Sequence, residues 1–176
     1  MKKYLILFII CNISNLVLAQ VSLGKNTANG TSTILDFYDN LDNTKGIILP
    51  AVDNTLNALA SDQTLNNGTF LFDKSDKKIK MFENNVWVDL TDEGSITQLL
   101  SQTLNENLEE QGVIIGNDTT NAKGILVLEE DKKALILPKI PNPHINVKSP
   151  YPGMMCYDTE TLSLAIYDGK FWNFWK

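Results

Sequence analysis

Gly68-Thr69-Phe70-Leu71-Phe72-Asp73 aligns without a gap on Gly153-Met154-Met155-Cys156-Tyr157-Asp158. The match continues through Ile79/Leu164, Met81/Ile166, Phe82/Tyr167 and Trp87/Trp172. Upstream, Ile47-Ile48-Leu49-Pro50 pairs with Leu135-Ile136-Leu137-Pro138, and Val21-Ser22-Leu23-Gly24 pairs with Val113-Ile114-Ile115-Gly116. A match this long signals one supersecondary unit used twice. The shared positions are apolar residues, glycines, prolines and turn formers. They describe a scaffold rather than a reaction.

Around the aligned stretch the chain alternates as strands do. Thr69–Phe72, Ile79–Phe82 and Val86–Leu90 read as three antiparallel strands. Met154–Tyr157, Leu162–Tyr167 and Lys170–Trp175 repeat the pattern. Asp168-Gly169 reads as a two-residue hairpin turn, because both residues tolerate positive φ. Asn84-Asn85 or Glu83-Asn84 fills that place in the first unit. Earlier in each unit, Thr33–Phe37 leads to Gly46–Leu49, and Gly124–Leu128 to Ala134–Leu137. The polar stretches 39–45 and 129–133 read as hairpin loops. Pro50 and Pro138 end the strands before them, since proline donates nothing to a ladder. Asn54–Ala60 has room for one helical turn, whereas Pro141-Asn142-Pro143-His144 reads as irregular or extended.

The predicted fold is therefore mainly β: two homologous small antiparallel β units joined by a short amphipathic helix. Residues 20–91 form unit one, 92–112 the helical linker and 113–176 unit two. Each unit is at or below the roughly 70–80 residues at which a lone core is comfortable. In the linker, Ser95 is placed to cap a helix with Gln98 three residues on. Ile96, Leu100, Leu104 and Leu108 then form one apolar stripe, which predicts helix association. Thr103 and Asn107 interrupt any sustained heptad.

The start of the chain carries a different signal. Lys2-Lys3 precede the apolar run Tyr4–Ile10, and Val17-Leu18-Ala19 fits a small-residue cleavage site. Residues 1–19 read as a secretory signal peptide. The run is too short to predict a membrane span. Lipidation at Cys11 is disfavoured, because Ile9-Ile10 lack the small residue expected before a lipidated cysteine. Cleavage after Ala19 leaves Cys156 as the only cysteine, so it is expected to be a small buried apolar side chain. The formal net charge of -6 comes with scattered lysines and no basic stripe, which argues against nucleic acid and anionic membrane surfaces as partners.

The two units differ in an informative way. Lys80 and Asp89 alternate onto the sheet face opposite Ile79, Met81, Val86 and Val88. That face is expected to be exposed in unit one. In unit two the same positions are Ala165 and Phe174, and Leu90 becomes Trp175. A sheet apolar on both sides must be covered on both sides. Ala165, Tyr167, Phe171, Trp172, Phe174 and Trp175 are therefore the candidate interface. The competing reading of the same aromatics is a glycan-stacking platform.

Candidate chemistry is sparse. His144 is the only histidine and sits among prolines, with no nucleophile elbow in the sequence. Zinc needs several His or Cys ligands. Asp73, Asp76, Asp158 and Glu160 lie where β-turn aspartates cap backbone groups. No catalytic, cofactor or metal residue is predicted, and the chain is expected not to be an enzyme.

The ordered motifs resemble a known group. Val21, Leu23 and Gly24 precede Ile34-Leu35-Asp36-Phe37, then Lys45-Gly46-Ile47-Ile48-Leu49-Pro50, Gly68, Phe72-Asp73 and Trp87. Val113, Ile115, Gly116, Leu135–Pro138, Gly153, Tyr157-Asp158 and Trp172 follow the same order. The pattern resembles a unit of exported Bacteroidetes-type proteins similar to tail-fibre and surface-adhesin modules. The resemblance implies an exported β-rich protein at the outer-membrane surface or outside the cell, oligomeric, with a trimeric, fibre-like form expected. The chain departs from the pattern: Ala51-Val52-Asp53 and Lys139-Ile140-Pro141 replace an Arg- and Thr-rich stretch, and no C-terminal chaperone domain is seen. That favours an accessory subunit of an envelope assembly, with protein partners. The alternative is a carbohydrate-binding module. Asp118-Thr119-Thr120 looks like the O-glycosylation pattern of such bacteria and equally like an ordinary polar turn.

Overall fold

A computed structural model describes residues 20–59, 66–99, 112–122 and 124–176. It is mainly β. In chain order the strands are β1 (Val21–Leu23), β2 (Thr33–Phe37), β3 (Ile47–Ile48), β4 (Ala51–Val52), β5 (Phe70–Asp73), β6 (Lys78–Glu83) and β7 (Val86–Asp89). They continue with β8 (Val113–Ile115), β9 (Leu126–Leu128), β10 (Ala134–Leu135), β11 (Lys139–Ile140), β12 (Met154–Asp158), β13 (Ser163–Tyr167) and β14 (Trp172–Trp175). Among the described residues, one helical turn, α1 (Pro143–Asn146), and a 3-10 turn at Thr55–Asn57 complete the elements.

Two sheets form the centre, in the orders β4-β5-β6-β7 and β11-β12-β13-β14. Their hydrogen bonds recur at matched positions. Phe72 N–H donates to the Pro50 carbonyl at 2.9 Å, and Tyr157 N–H to that of Pro138 at 2.8 Å. Gly68 N–H reaches Phe82 and Gly153 N–H reaches Tyr167, at 2.8 and 2.9 Å. Lys77 and Leu162, which stand at matched turn positions, both have positive φ, 60° and 55°. Asn84 and Asn85 close the β6–β7 hairpin at φ 50° and 62°, as a tight two-residue turn requires.

The second hairpin turns differently from its prediction. Tyr167 pairs with Trp172, so four residues separate the strands rather than two. The buried Asp168 carboxylate causes this. It accepts the N–H groups of Lys170 and Phe171 at 2.8 and 2.7 Å, drawing both residues into the loop. Gly169, at φ 92°, lies so close to the Ser95 backbone that no Cβ fits. Ser95 N–H in turn donates to the Asp168 carbonyl at 2.8 Å.

The two sheets pack face to face. Phe72, Ile79 and Leu90 of the first meet Met155 and Ile166 of the second, and Leu49 closes the cluster. Trp175 ties the sheets at one edge, its indole N–H donating to the Leu90 carbonyl at 2.9 Å. The opposite face of β12–β13 carries Cys156 and Ala165 under Ile140, with Val147 and Trp172 against them. The chain itself, through residues 140–147, covers much of the face expected to need a partner. Here the Pro-rich segment is not simply irregular. Pro143 takes the first position of α1, where its missing N–H costs nothing.

The segments that precede the two central sheets depart further from expectation. Neither predicted hairpin forms, and among the described residues five strand pairs are parallel: β1/β2, β2/β10, β4/β5, β8/β9 and β11/β12. The wholly antiparallel reading is thereby corrected. The buried Asn43 explains one case. Its side-chain amide donates to the carbonyls of Lys45 and Lys139, at 3.2 and 3.1 Å. The loop is thus pinned toward the second central sheet, and β3 pairs there with β12 instead of folding back on β2. In exchange, β10 pairs with β2.

The linker also differs over its described part. Ser95–Leu99 is not helical, and only a turn closes there, Leu99 N–H donating to Ile96 carbonyl at 3.0 Å. The Ser95 hydroxyl meets Thr97 rather than Gln98, so the capping box is not made. Ile96 is partly exposed, while Leu99 packs on the central cluster. Leu100, Leu104 and Leu108, like the signal at 1–19, lie outside the described residues.

Candidate interaction surface

The aromatic residues singled out by sequence separate into two groups. Ala165 is fully buried and presents no surface. Tyr167 and Trp172 are half-buried against the same cluster, with ring centroids 5.5 Å apart. Burial, with Asp168 nearby, raises the Tyr167 phenol above its ordinary value. Phe171, Phe174 and Trp175 remain exposed in part. His144 of α1 stands edge-on to Phe174, at 6.1 Å and 86°. Phe174 and Trp175 border an open cleft of about 400 Å³ with Asp89, Asp92 and Asn173.

On the matched face of the first sheet, Lys80 is buried rather than exposed. It pairs with Asp76 and, at 2.6 Å, with Asp89. Burial disfavours its charge, but the hydrogen bonds and charges of the two carboxylates outweigh that and raise its pKa. The long aliphatic stem lies along the sheet while the ammonium is neutralised at its rim. Asp89 is only partly covered.

A surface that sequence reasoning missed lies at the parallel pairs. The β1–β2 and β8–β9 pairs have the same register, Val21↔Leu35 in one and Val113↔Leu126 in the other. Each is extended by the same bond: Tyr38 N–H to Leu23 carbonyl at 2.8 Å, Glu129 N–H to Ile115 carbonyl at 2.9 Å. Ile34 and Leu35 are each 1% exposed, yet Ile125 and Leu126 are 65% and 43% exposed. The difference comes from what lies beside them. β10 pairs along β2, and Gly116 sits against Ile34, too close for any Cβ. Among the described residues nothing pairs along β9 beyond β8. Val113 and Leu135 add to the exposed apolar surface. Two parallel strands left open on this scale are unusual, because parallel sheets are normally covered on both faces and two strands alone are marginal. The repeat of Ile34-Leu35 as Ile125-Leu126 could have located the strand, but not which of the two copies is left open.

Polar clusters have structural partners. Asp36, buried, meets Lys25 at 2.7 Å and accepts Asn29 N–H at 2.7 Å. Asp158 accepts the N–H groups of Asn142 and Glu160, both at 3.0 Å. Among the described residues no group of three His, Cys, Asp or Glu is placed to hold a metal, and no helix is long and apolar enough to cross a membrane. Comparison with known proteins finds no matching family model, curated protein or solved structure.

Proposed function

We propose that this is an exported structural protein built from two homologous β units, and that it works by assembling on the outer surface. One observation carries the reading: Ile125 and Leu126 are bare where their counterparts Ile34 and Leu35 are sealed. An apolar strand pair left open invites a protein partner, because its burial would remove apolar area from water and occupy an unpaired edge. The resemblance to fibre and adhesin modules and the secretory start of the chain point the same way. Sedimentation velocity on the purified protein tests this. We expect a mass above the monomer that rises with concentration, and loss of the larger species in Ile125→Asp or Leu126→Asp. Both positions face outward, so the variants keep the fold. A native protein that stays monomeric across the concentration series overturns the proposal.

A second reading, a carbohydrate-binding module, has one observation in its favour. Trp175 is pinned by its indole hydrogen bond and flanks a cleft that also offers Asp89, Asp92 and Asn173. A pinned aromatic beside polar groups suits a sugar ring. A glycan array, repeated with Phe174→Ala, decides it: no binding, or binding unchanged by the substitution, removes this reading.

A further inference from the structure

We infer that copies of this chain join head to tail, each laying its Gly46–Leu49 segment along the open edge of β9 in the preceding copy. In the same contact, the preceding copy's Ala134–Leu137 segment lies along the start of β5. The inference rests on the proposed function and specifies its partner as a second copy of the chain.

Two matched segments use opposite edges. Ala134 and Ile136 donate their N–H groups to Ser32 and Leu35 carbonyls, at 2.7 and 3.1 Å. That edge of the segment faces β2. In the other segment Leu49 N–H donates to the Gly153 carbonyl at 3.0 Å, and Ile47 stands opposite Met155. That edge faces β12. Successive backbone groups of a strand point to opposite sides, so residues 46 and 48 match the edge used by 134 and 136. Residues 135 and 137 match the edge used by 47 and 49. Each segment thus spends one edge inside the chain, and the two spent edges are different ones.

The receiving strands complete the pattern. β2 receives residues 134–136, whereas its counterpart β9 receives nothing among the described residues. The first residues of β12 receive residues 47–48, whereas among the described residues no strand lies beside their counterparts Thr69 and Phe70 on that side. The contact between unit one and unit two is therefore directional. Unit two has an unused copy of the surface that unit one offers, and unit one has an unused copy of the surface that unit two offers. A second chain fits both at once, with Leu126 opposite its Ile47 and Ile136 opposite its Thr69. Such a heterologous contact repeats into a filament or closes into a ring. It would bury Ile125 and Leu126 as Ile34 and Leu35 are already buried.

Disulfide trapping tests this. The pair equivalent to Met154↔Ile48 in the antiparallel β3–β12 contact is Thr69 with Ile136. Such a pair lies within the Cα separation a disulfide accepts. Full-length Thr69→Cys and Ile136→Cys chains, each in a Cys11→Ser background, are oxidised separately and mixed. Circular dichroism first verifies the fold of each. We expect a linked dimer containing one of each variant in the mixture, and none in either variant alone. A Leu126→Cys chain mixed with an Ile47→Cys chain provides the second pair. Oligomers without either mixed crosslink overturn the head-to-tail contact while leaving assembly itself standing. Links formed by one variant alone do the same, because they indicate a two-fold contact. A monomer in sedimentation overturns both.

Discussion

Leu35 and Leu126 hold the same register in two parallel strand pairs, and one is 1% exposed while the other is 43% exposed. The backbone bonds around them match to within 0.1 Å, 2.8 against 2.9 Å. Local sequence therefore sets the local geometry in both places. Burial is decided by a second neighbour, and among the described residues only β2 has one, the strand β10. A second contrast runs through the central sheets. The face that holds Lys80 and Asp89 in one holds Ala165 and Phe174 in the other. The first is closed by an ion pair, the second by residues 140–147.

The largest effect is expected from forcing one sheet to imitate the other. In Ala165→Lys the new ammonium would sit among Ile140, Met154 and Cys156, with Phe174 where Lys80 finds Asp89. An uncompensated buried charge costs about 4 kcal/mol. Urea denaturation measures it. A loss under about 1 kcal/mol would mean that the 140–147 segment lifts away easily, and that the cover is weak.

Leu35→Ala and Leu126→Ala probe the first contrast directly. Leu35→Ala should cost about 3 kcal/mol through the lost apolar burial and the cavity left behind. Leu126→Ala, measured at concentrations where the chain is monomeric, should cost about 0.5 kcal/mol, as exposed substitutions do. Equal costs would erase the distinction on which the assembly reading depends. Raising the protein concentration should then increase the cost of Leu126→Ala alone, because a partner that binds only the folded chain adds stability by mass action.

How much of this was legible in the sequence follows from the range of the interactions. The β5–β7 and β12–β14 arrays were readable because alternation and turn residues act over a few positions; Asn84-Asn85 is enough to bend β6 into β7. The β6–β7 register was readable for the same reason, whereas that of β13–β14 was not, because the Asp168 carboxylate draws Lys170 and Phe171 into a four-residue loop. The partners of residues 47–48 and 134–136 were not. The two segments are near-identical, yet one pairs with β12 and the other with β2. That choice depends on contacts such as Asn43 with the Lys139 carbonyl, far apart in sequence. The aromatic terminus was recognisable as apolar, but the cover supplied by Ile140 and Val147 was not, since two prolines disguised a packed turn. The open β8–β9 pair was hidden for the opposite reason: its residues look like ordinary core.

Acid sensitivity should also divide the two strand pairs. Burial alone would raise the pKa of Asp36. The hydrogen bond from Lys25, those from the N–H groups of Asn29 and Phe37, and the Lys25 charge outweigh it and hold the carboxyl below 3.8. The stabilisation is therefore present above the ordinary carboxylate range and is lost as pH falls through the lowered folded value. The matched position in the second pair is Val127, which does not titrate. Asp36→Asn should lower stability at pH 7 and flatten the acid limb of the stability profile. Thermal melts from pH 7 down to about pH 2 would show it. An unchanged slope would place the acid-sensitive carboxylate elsewhere, with Asp158 the next candidate.

The smallest effect concerns Cys156, which occupies the position of Leu71 in the other sheet. Both side chains are sealed, and burial, helped by the nearby Asp158, pushes the Cys156 thiol up to about 12. At pH 8 the thiolate is then on the order of one part in ten thousand, and a reagent must wait for the 140–147 cover to open. A disulfide reagent added to the native protein should leave Cys156 unmodified over hours, while urea exposes it at once. Adding Val147→Gly removes a side chain from the cover without touching the β12–β13 ladder. Labelling should then quicken while the far-ultraviolet spectrum stays the same. Equal labelling rates in both proteins would mean that the thiol is reached by unfolding of the whole sheet. The cover over the β11–β14 sheet would then be as firm as the ion pair that closes the matching face of the β4–β7 sheet.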